Sequence, residues 1–155
     1  MPLTNPSLSP EYAALAAVAT DWMERVWRRR DLAAISELHA PDFCDRSPAG
    51  RDPGLAAYAA GVAELFAAFP DFEATTDDLV VDTRTDTVAI RWTAVATHLG
   101  LFLGAAPTGC RITFRGIEIL RIVGGRITER WGEWDGLDLL DQLGAAGPSA
   151  SGGTP

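Results

Sequence analysis

The chain contains no lysine, and all thirteen of its cationic side chains are arginine. A lysine amine is needed for Schiff-base chemistry, both in lysine aldolases and in enzymes that hold pyridoxal phosphate, so that chemistry is excluded for this chain. The sequence also has no Gly-x-Gly-x-x-Gly and no glycine-rich loop before a Lys-Ser or Lys-Thr pair. Any catalysis must therefore use carboxylates, a histidine, backbone dipoles or the substrate itself.

Cysteine and histidine are scarce, with two residues of each. Cys44 and Cys110 are far apart and fit no metal-binding or redox spacing. His39 and His98 form no His-x-His or Glu-x-x-His pattern, which argues against a dedicated transition-metal site. We predict that the protein uses neither a metal nor a cofactor.

Long apolar runs and a basic character are also absent. No apolar run approaches the roughly 18 residues that a membrane-spanning helix needs, and the N-terminus lacks the basic region of a signal peptide. The net charge of −8 argues against nucleic acids and anionic membranes as partners. We expect a cytoplasmic enzyme or binding protein that has neither a nucleic acid nor a membrane as its partner.

Helical periodicity fills the first half of the chain. Ser9-Pro10 is typical of a helix start, Asp31 begins a short second helix, and Asp52-Pro53 begins a third helix that Pro70 ends. A brief strand is possible between the second and third helices. At 155 residues, the chain fits a single domain. We expect this domain to span residues 9–144, between a flexible N-terminus (1–8) and a disordered tail (145–155).

Alternation with a period of two follows the helices and predicts four strands. Their predicted bounds are Phe72 to Asp82, Val88 to His98, Arg111 to Val123 and Arg126 to Asp135. Helices followed by strands indicate an α+β order. We therefore predict a curved, cone-shaped antiparallel sheet wrapped by three N-terminal helices.

The last predicted hairpin turns at Gly124-Gly125, a pair that suits a two-residue turn with positive φ at both positions. If that register continues, residues whose numbers sum to 249 face each other. One face then mixes apolar groups with acids, and it carries Phe114, Glu118, Trp131, Glu133 and Asp135. The other face is rich in arginine and threonine. We predict that the acid-bearing face is the concave wall of a pocket, and that the outer face supports a homodimer or higher homo-oligomer.

Trp92 and His98, on the preceding strand, are predicted to point to the same pocket. A carboxyl group in an apolar pocket has a raised pKa and can exchange protons at neutral pH. For Asp135, helix capping competes with catalysis, and His98 could be a satisfied polar group at a strand end. Glu118 is either a second pocket acid or one half of a buried ion pair.

Three stretches resemble, in order and spacing, the SnoaL-like polyketide cyclases of the nuclear transport factor 2-like fold. These stretches are FPDFEATTDDLVVD, VAIRWTAVATHLGLFLGAAPTG and FRGIEILRIVGGRITERWGEWDGLDLLDQLG. The Thr-His-x-Gly, Pro-Thr-Gly and Trp-x-x-x-Asp elements carry the likeness, which runs from about Trp22 to Gly144. The sequence departs from the family at Arg46, where relatives often have histidine.

The resemblance implies a cofactor-free intramolecular aldol condensation that closes a ring of an aromatic polyketide ester, as in antibiotic biosynthesis. It implies that Asp135 is the general acid/base and that His98 assists at a carbonyl oxygen. Trp92, Phe114 and Trp131 would sandwich the flat substrate, with Glu118 and Glu133 beside it. The alternatives are a cofactor-free hydroxylase or isomerase on the same fold, and a non-catalytic small-molecule-binding protein.

Overall fold

The structure is a computed structural model that describes residues 8–144. The predictions for residues 1–7 and for the tail at 145–155 lie outside the described residues.

Helix α1 (Pro10–Trp22) begins where the sequence predicts. Ser9 caps it, since its hydroxyl accepts a hydrogen bond from the Tyr12 amide at 3.2 Å. The helix continues directly into a π-helical turn, Met23–Arg28. Such turns are rare and are often found at functional sites. Further along lie α2 (Ala33–Leu38), α3 (Leu55–Ala68) and α4 (Gly136–Gly144). The aspartate before α2 caps it as predicted, because its carboxylate accepts hydrogen bonds from two amides of the first turn.

Five strands form one curved, open sheet. They are β1 (His39–Asp45), β2 (Glu73–Asp82), β3 (Thr87–Thr97), β4 (Arg111–Val123) and β5 (Arg126–Trp134), in the order β1-β5-β4-β3-β2. The four strands from β2 to β5 pair antiparallel, as predicted, whereas β1 joins the edge of the sheet parallel to β5. The predicted α+β fold is thus confirmed, and the segment where the sequence allows a brief strand forms β1.

The turn between β4 and β5 has positive φ at both Gly124 (60°) and Gly125 (78°), as predicted. The predicted register is confirmed only next to the turn, where Ile122 faces Ile127. Beyond it Arg121 faces Glu129, so Thr128 is an extra residue that bulges out of the strand. Because side chains alternate along a strand, this single residue reverses the face of the rest of β5.

The helices cover the concave face of the sheet, and the core lies between these two layers. On β3 the alternate residues that face this layer are almost fully buried: Val88, Ile90, Ala94 and Ala96. The convex face of the sheet is open to solvent and exposes Ile117, Ile119 and Val123. Helix α4 packs against the start of β4, where Gln142 exchanges hydrogen bonds with the backbone of Thr113 at 2.8–2.9 Å.

Candidate functional site

A cavity of about 140 Å³ lies between the concave face of the sheet and the helices. Aromatic side chains from α1, the π-helical turn, α3, three strands and two loops form most of its wall: Trp22, Trp27, Tyr58, Phe72, Trp92, Phe102, Phe114 and Trp134. The π-helical turn contributes Trp27, and α3 contributes Tyr58. Three charged residues, Arg51, Glu118 and Arg130, also line the cavity. An apolar pocket with a few convergent polar groups is typical of a small-molecule site.

A buried ionic cluster forms the polar part of this wall. Arg130 lies between two carboxylates: its Nη1 donates to Asp45 Oδ1 at 3.1 Å, and its Nη2 donates to Glu118 Oε1 at 3.1 Å. Arg130 Nε also lies 2.7 Å from Glu118 Oε2 but is poorly aligned for a hydrogen bond. Only 10% of the Arg130 side chain is exposed, and the two carboxylates are exposed by 4% or less. The guanidinium also stacks over the Tyr58 ring at 5.3 Å.

The strand order brings these three charges together. The parallel pairing of β1 with β5 places Asp45 next to Arg130, and the antiparallel pairing of β4 with β5 places Glu118 opposite Gly132. A Cβ at Gly132 would overlap both the Glu118 carboxylate and the Arg130 guanidinium. A glycine at this position therefore leaves the space that the ion pair occupies.

Burial changes the proton affinity of the charged groups. Loss of solvent raises the pKa of Glu118 to about 7, and this effect outweighs the opposing pull of Arg130. Burial also raises the pKa of Tyr58, which therefore remains a neutral phenol. Glu118 can consequently both accept and release a proton at neutral pH.

Several polar atoms at the cavity have no hydrogen-bond partner among the described residues. They include the indole Nε1 of Trp22 and of Trp27, the Tyr58 hydroxyl, and Glu118 Oε2. Leaving buried donors and acceptors unpaired costs free energy. Each of these atoms has less than 1 Å² of accessible surface, so a ligand would reach it only after the side chains of the wall shift.

Three of the predicted site residues lie together at the cavity. Trp92, Phe114 and Glu118 all line it, from adjacent positions on β3 and β4. Trp92 packs into the space left by Gly116, where a Cβ would be 2.5 Å from its ring. Both interpretations of Glu118 agree with the structure, because the side chain lines the cavity and also forms one half of a buried ion pair.

The prediction that Trp131 and Glu133 face the pocket is wrong. Because of the bulge at Thr128, Trp131 faces Ile119 and Glu133 faces Ile117 on the convex side of the sheet. Trp131 packs there against the Arg121 guanidinium, which lies 5.6 Å from its ring. Their places in the cavity wall are taken by Arg130 and Trp134.

Asp135 lies outside the enclosed cavity. Its carboxylate is exposed and caps α4, because Oδ1 accepts a hydrogen bond from the Asp138 amide at 2.9 Å. It lines a shallow surface hollow of about 340 Å³, which shares Trp92 and Trp134 with the cavity. The geometry thus agrees with the capping interpretation of Asp135.

His98 is fully buried but is not among the residues that line the cavity. Its Nδ1 accepts a hydrogen bond from the Thr108 amide at 3.2 Å, which places the proton on Nε2. The imidazole stacks on Phe69 with ring centres 5.3 Å apart, and Phe69 packs edge-on against Phe114. His98 therefore supports the cavity wall from behind.

The sequence reasoning missed Asp45, Arg51, Tyr58 and Arg130 as site residues. One physical signal could have found Arg130. With the uninterrupted register, Glu118 would have been buried opposite Trp131 with no cation on the same face, and a buried carboxylate without a partner is very costly. The glycine at 132, in the middle of a strand, was a second signal of a close approach.

Within residues 8–144, the His, Cys, Asp and Glu side chains form no cluster of three or more that could hold a metal ion. None of the helices in this part of the chain is long and apolar enough to cross a bilayer.

A curved, open sheet whose concave face is covered by helices, with an aromatic cavity between the two layers, is the architecture of the nuclear transport factor 2-like class. The family model of the SnoaL-like polyketide cyclases matches residues 17–143. The chain belongs to this family.

Solved structures with the same fold support this assignment. AclR, "a putative hydroxylase" from Streptomyces galilaeus, is 31% identical, with a TM-score of 0.77 over 86% of this chain and 97% of its own. IdmH, "a putative polyketide cyclase" from Streptomyces antibioticus, is also 31% identical, with a TM-score of 0.72 over 84% and 98%. Another protein, "a putative polyketide cyclase" from Acidithiobacillus ferrooxidans, is 29% identical, with a TM-score of 0.74 over 86% and 96%. No curated protein is significantly similar in sequence to this chain.

Proposed function

We propose that the protein is a cofactor-independent cyclase that closes a ring of an aromatic polyketide ester by intramolecular aldol condensation. The observation that carries the proposal is the position of Glu118, a carboxyl group in the wall of an aromatic cavity with its pKa raised to about 7. Such a group is suited to general acid/base work near neutral pH. The family membership and the resemblance to polyketide cyclases support the substrate class.

In the first step, Glu118 takes the proton from the carbon next to the ester carbonyl. The proposed acid/base is the carboxyl group as a whole: its Oε1 accepts a hydrogen bond from Arg130 Nη2 at 3.1 Å, and its Oε2 lies 2.7 Å from Arg130 Nε. The resulting enolate carbon attacks the ketone carbon of the same molecule and forms the new carbon–carbon bond. The ketone oxygen then takes the proton back from Glu118, so that no external acid or base is consumed.

The remaining wall residues bind and orient the substrate. Trp92, Phe114 and Trp134 offer flat surfaces for an aromatic ring system. His98 acts as a positioning residue, because it holds Phe69 against Phe114.

Asp135 is the second candidate for the acid/base, and the resemblance to the family favours it. Two variants separate it from Glu118. Asp135→Asn removes the acid but keeps a side chain that caps a helix equally well. Glu118→Gln removes the acid and keeps its shape.

We expect Glu118→Gln to lower kcat for ring closure by about a hundredfold or more. Asp135→Asn, and the exposed control Glu133→Gln, should stay within about threefold of the wild type. The assay uses aromatic polyketide methyl esters with a ketone within reach of the ester α-carbon, and product is quantified by liquid chromatography. Loss of turnover in Asp135→Asn, with Glu118→Gln still active, would assign the chemistry to Asp135.

A cofactor-free hydroxylase is the alternative function, and the similarity to AclR favours it. The two reactions differ in mass balance. An aldol closure gives an isomer of the substrate, whereas a hydroxylase consumes dioxygen and adds an oxygen atom to the product. Mass spectrometry together with an oxygen electrode therefore distinguishes them.

A further inference from the structure

Arg51 is a charged residue of the cavity wall to which the proposed reaction gives no role. It lies in the loop between β1 and α3 and lines the cavity with a side chain that is 40% exposed. Of the charged groups in the wall it is the one most open to solvent, since the side chains of Glu118 and Arg130 are only 4% and 10% exposed. It therefore marks the mouth of the cavity.

The guanidinium of Arg51 is held in place but is weakly paired. It lies against Gly61 of α3, where a Cβ would be 2.8 Å from its Cζ and Nη1. Its nearest carboxylate is Asp45, at 3.8 Å from Nη2, beyond hydrogen-bond distance. Asp45 already accepts a closer hydrogen bond from Arg130, at 3.1 Å. The N–H groups of Arg51 are thus available to a ligand.

The size of the cavity determines what reaches these groups. About 140 Å³ of enclosed space is close to the volume that holds one small aromatic molecule. About one aromatic ring of a polyketide would therefore be enclosed, and the rest of the molecule would extend past the mouth. A polar substituent on this outer part would come within reach of the Arg51 guanidinium.

We propose that Arg51 is a specificity-determining residue that selects ligands with an anionic oxygen, a carboxylate or an ionised phenol, at the end facing the cavity mouth. A guanidinium recognises a carboxylate through two parallel hydrogen bonds, which a neutral ester cannot match in strength. The proposal deepens the proposed function, because it uses the same cavity and defines the substrate as an aromatic polyketide that is acidic at its outer end.

The test compares binding of 2-naphthoate and methyl 2-naphthoate, which share the aromatic part and differ in charge. Binding to the full chain is followed by quenching of tryptophan fluorescence, since four tryptophans line the cavity. We expect the wild type to bind the carboxylate about five- to tenfold more tightly, with a preference that weakens as salt is raised. Arg51→Gln should abolish this preference and leave the affinity for the ester unchanged.

Two further variants complete the experiment. Arg46→Gln removes a cation from the same loop that pairs with Glu129 and is not part of the cavity wall, so its preference should equal that of the wild type. Gly61→Ala keeps Arg51 but displaces its guanidinium, and it should reduce the preference without unfolding the helix. An unchanged preference in Arg51→Gln, an equal loss for both probes, or a wild type that does not discriminate would each overturn the proposal.

The outcome is separate from that of the proposed function, because binding of these probes requires no turnover. A chain that prefers the carboxylate through Arg51 but closes no ring contradicts the cyclase and leaves the role of Arg51 standing. A chain that closes rings while Arg51→Gln keeps the wild-type preference contradicts only the role of Arg51.

Discussion

At the scale of single residues, three buried charges define the site. Arg130 is shared by Asp45 and Glu118, and Asp45 has a second, more distant cation in Arg51 at 3.8 Å, whereas Glu118 pairs with Arg130 alone among the described residues. Burial destabilises the ionised form of a carboxylate, so we expect either Asp45 or Glu118 to hold a proton over part of the neutral pH range. The raised pKa of Glu118 identifies Glu118 as that residue. The exposed Asp135 has no such environment.

The raised pKa of Glu118 has a consequence for stability. Since its pKa is about 7 in the folded protein and near 4.5 when unfolded, the folded state binds more protons between these values. The free energy of unfolding contributed by Glu118 therefore falls as pH rises from 4.5 to 7 and is constant above 7. His39 acts in the opposite direction, because burial lowers its pKa from 6.5 to about 4.

We accordingly predict that Glu118→Gln gains stability relative to the wild type as pH rises through this window, by up to about 1.4 kcal/mol per pH unit. Urea unfolding of both proteins at several pH values between 4 and 8 measures the difference. Glu133→Gln, an exposed carboxylate on the convex face, is the control and should show no such trend. A difference between Glu118→Gln and the wild type that does not change with pH would contradict the raised pKa.

At the scale of elements, the register of strand β5 determines which of its residues line the site. The bulge at Thr128 turns Arg130, Gly132 and Trp134 towards the helices, and it turns Trp131 and Glu133 towards solvent. The ion pair then needs Gly132, because any side chain there would occupy the space of the Glu118 carboxylate. The bulge and the glycine together allow β5 to place an arginine side chain on the concave face of the sheet.

We predict that Gly132→Ala destabilises the fold by about 2 kcal/mol or more, because the added methyl group must displace a buried ion pair. Gly136→Ala is the matched control, since a Cβ there meets only the Trp134 ring at ordinary van der Waals distances of 3.5–3.9 Å. Thermal unfolding of both variants compares the two effects. Equal stability of Gly132→Ala and the wild type would show that the pair is not packed against this glycine.

At the scale of the whole molecule, the two faces of the sheet have different surroundings. The concave face is covered by helices, whereas the convex face exposes Ile117 and Ile119 beside arginines. An exposed apolar strip of this kind is typical of a contact surface. Homo-oligomer formation, which the sequence pattern suggested, stays a prediction.

We predict that the chain forms a homodimer through this convex face, and that Ile117→Asp combined with Ile119→Asp converts it to a monomer of 16.5 kDa. Light scattering coupled to size-exclusion chromatography measures the mass of each form. Leu32→Asp introduces one aspartate at an exposed leucine outside the sheet and should leave the dimer intact. A wild type that is monomeric at high concentration would show that the face serves another purpose.

Much of the architecture could be predicted because it depends on local patterns. Ser9-Pro10 and Asp31 begin helices through hydrogen bonds to nearby amides, and Gly124-Gly125 permits the positive φ that the hairpin turn requires. Trp92, Phe114 and Glu118 reach the cavity because the pairing of β3 with β4 is uninterrupted, so that simple alternation gives the correct face.

The sequence by itself determined the order of elements, the concave face of β3 and β4, and the exclusion of lysine chemistry, since each follows from residue identity or from periodicity along the chain. Only the tertiary structure decided which residues of β5 line the cavity and which acid is enclosed there. The physical reason is that the position of a bulge is set by pairing between strands. Arg130 binds both Glu118 and Asp45, which lies 85 residues away in the sequence. The register of β5 in which Arg130 reaches both carboxylates is the one that leaves neither buried charge unpaired.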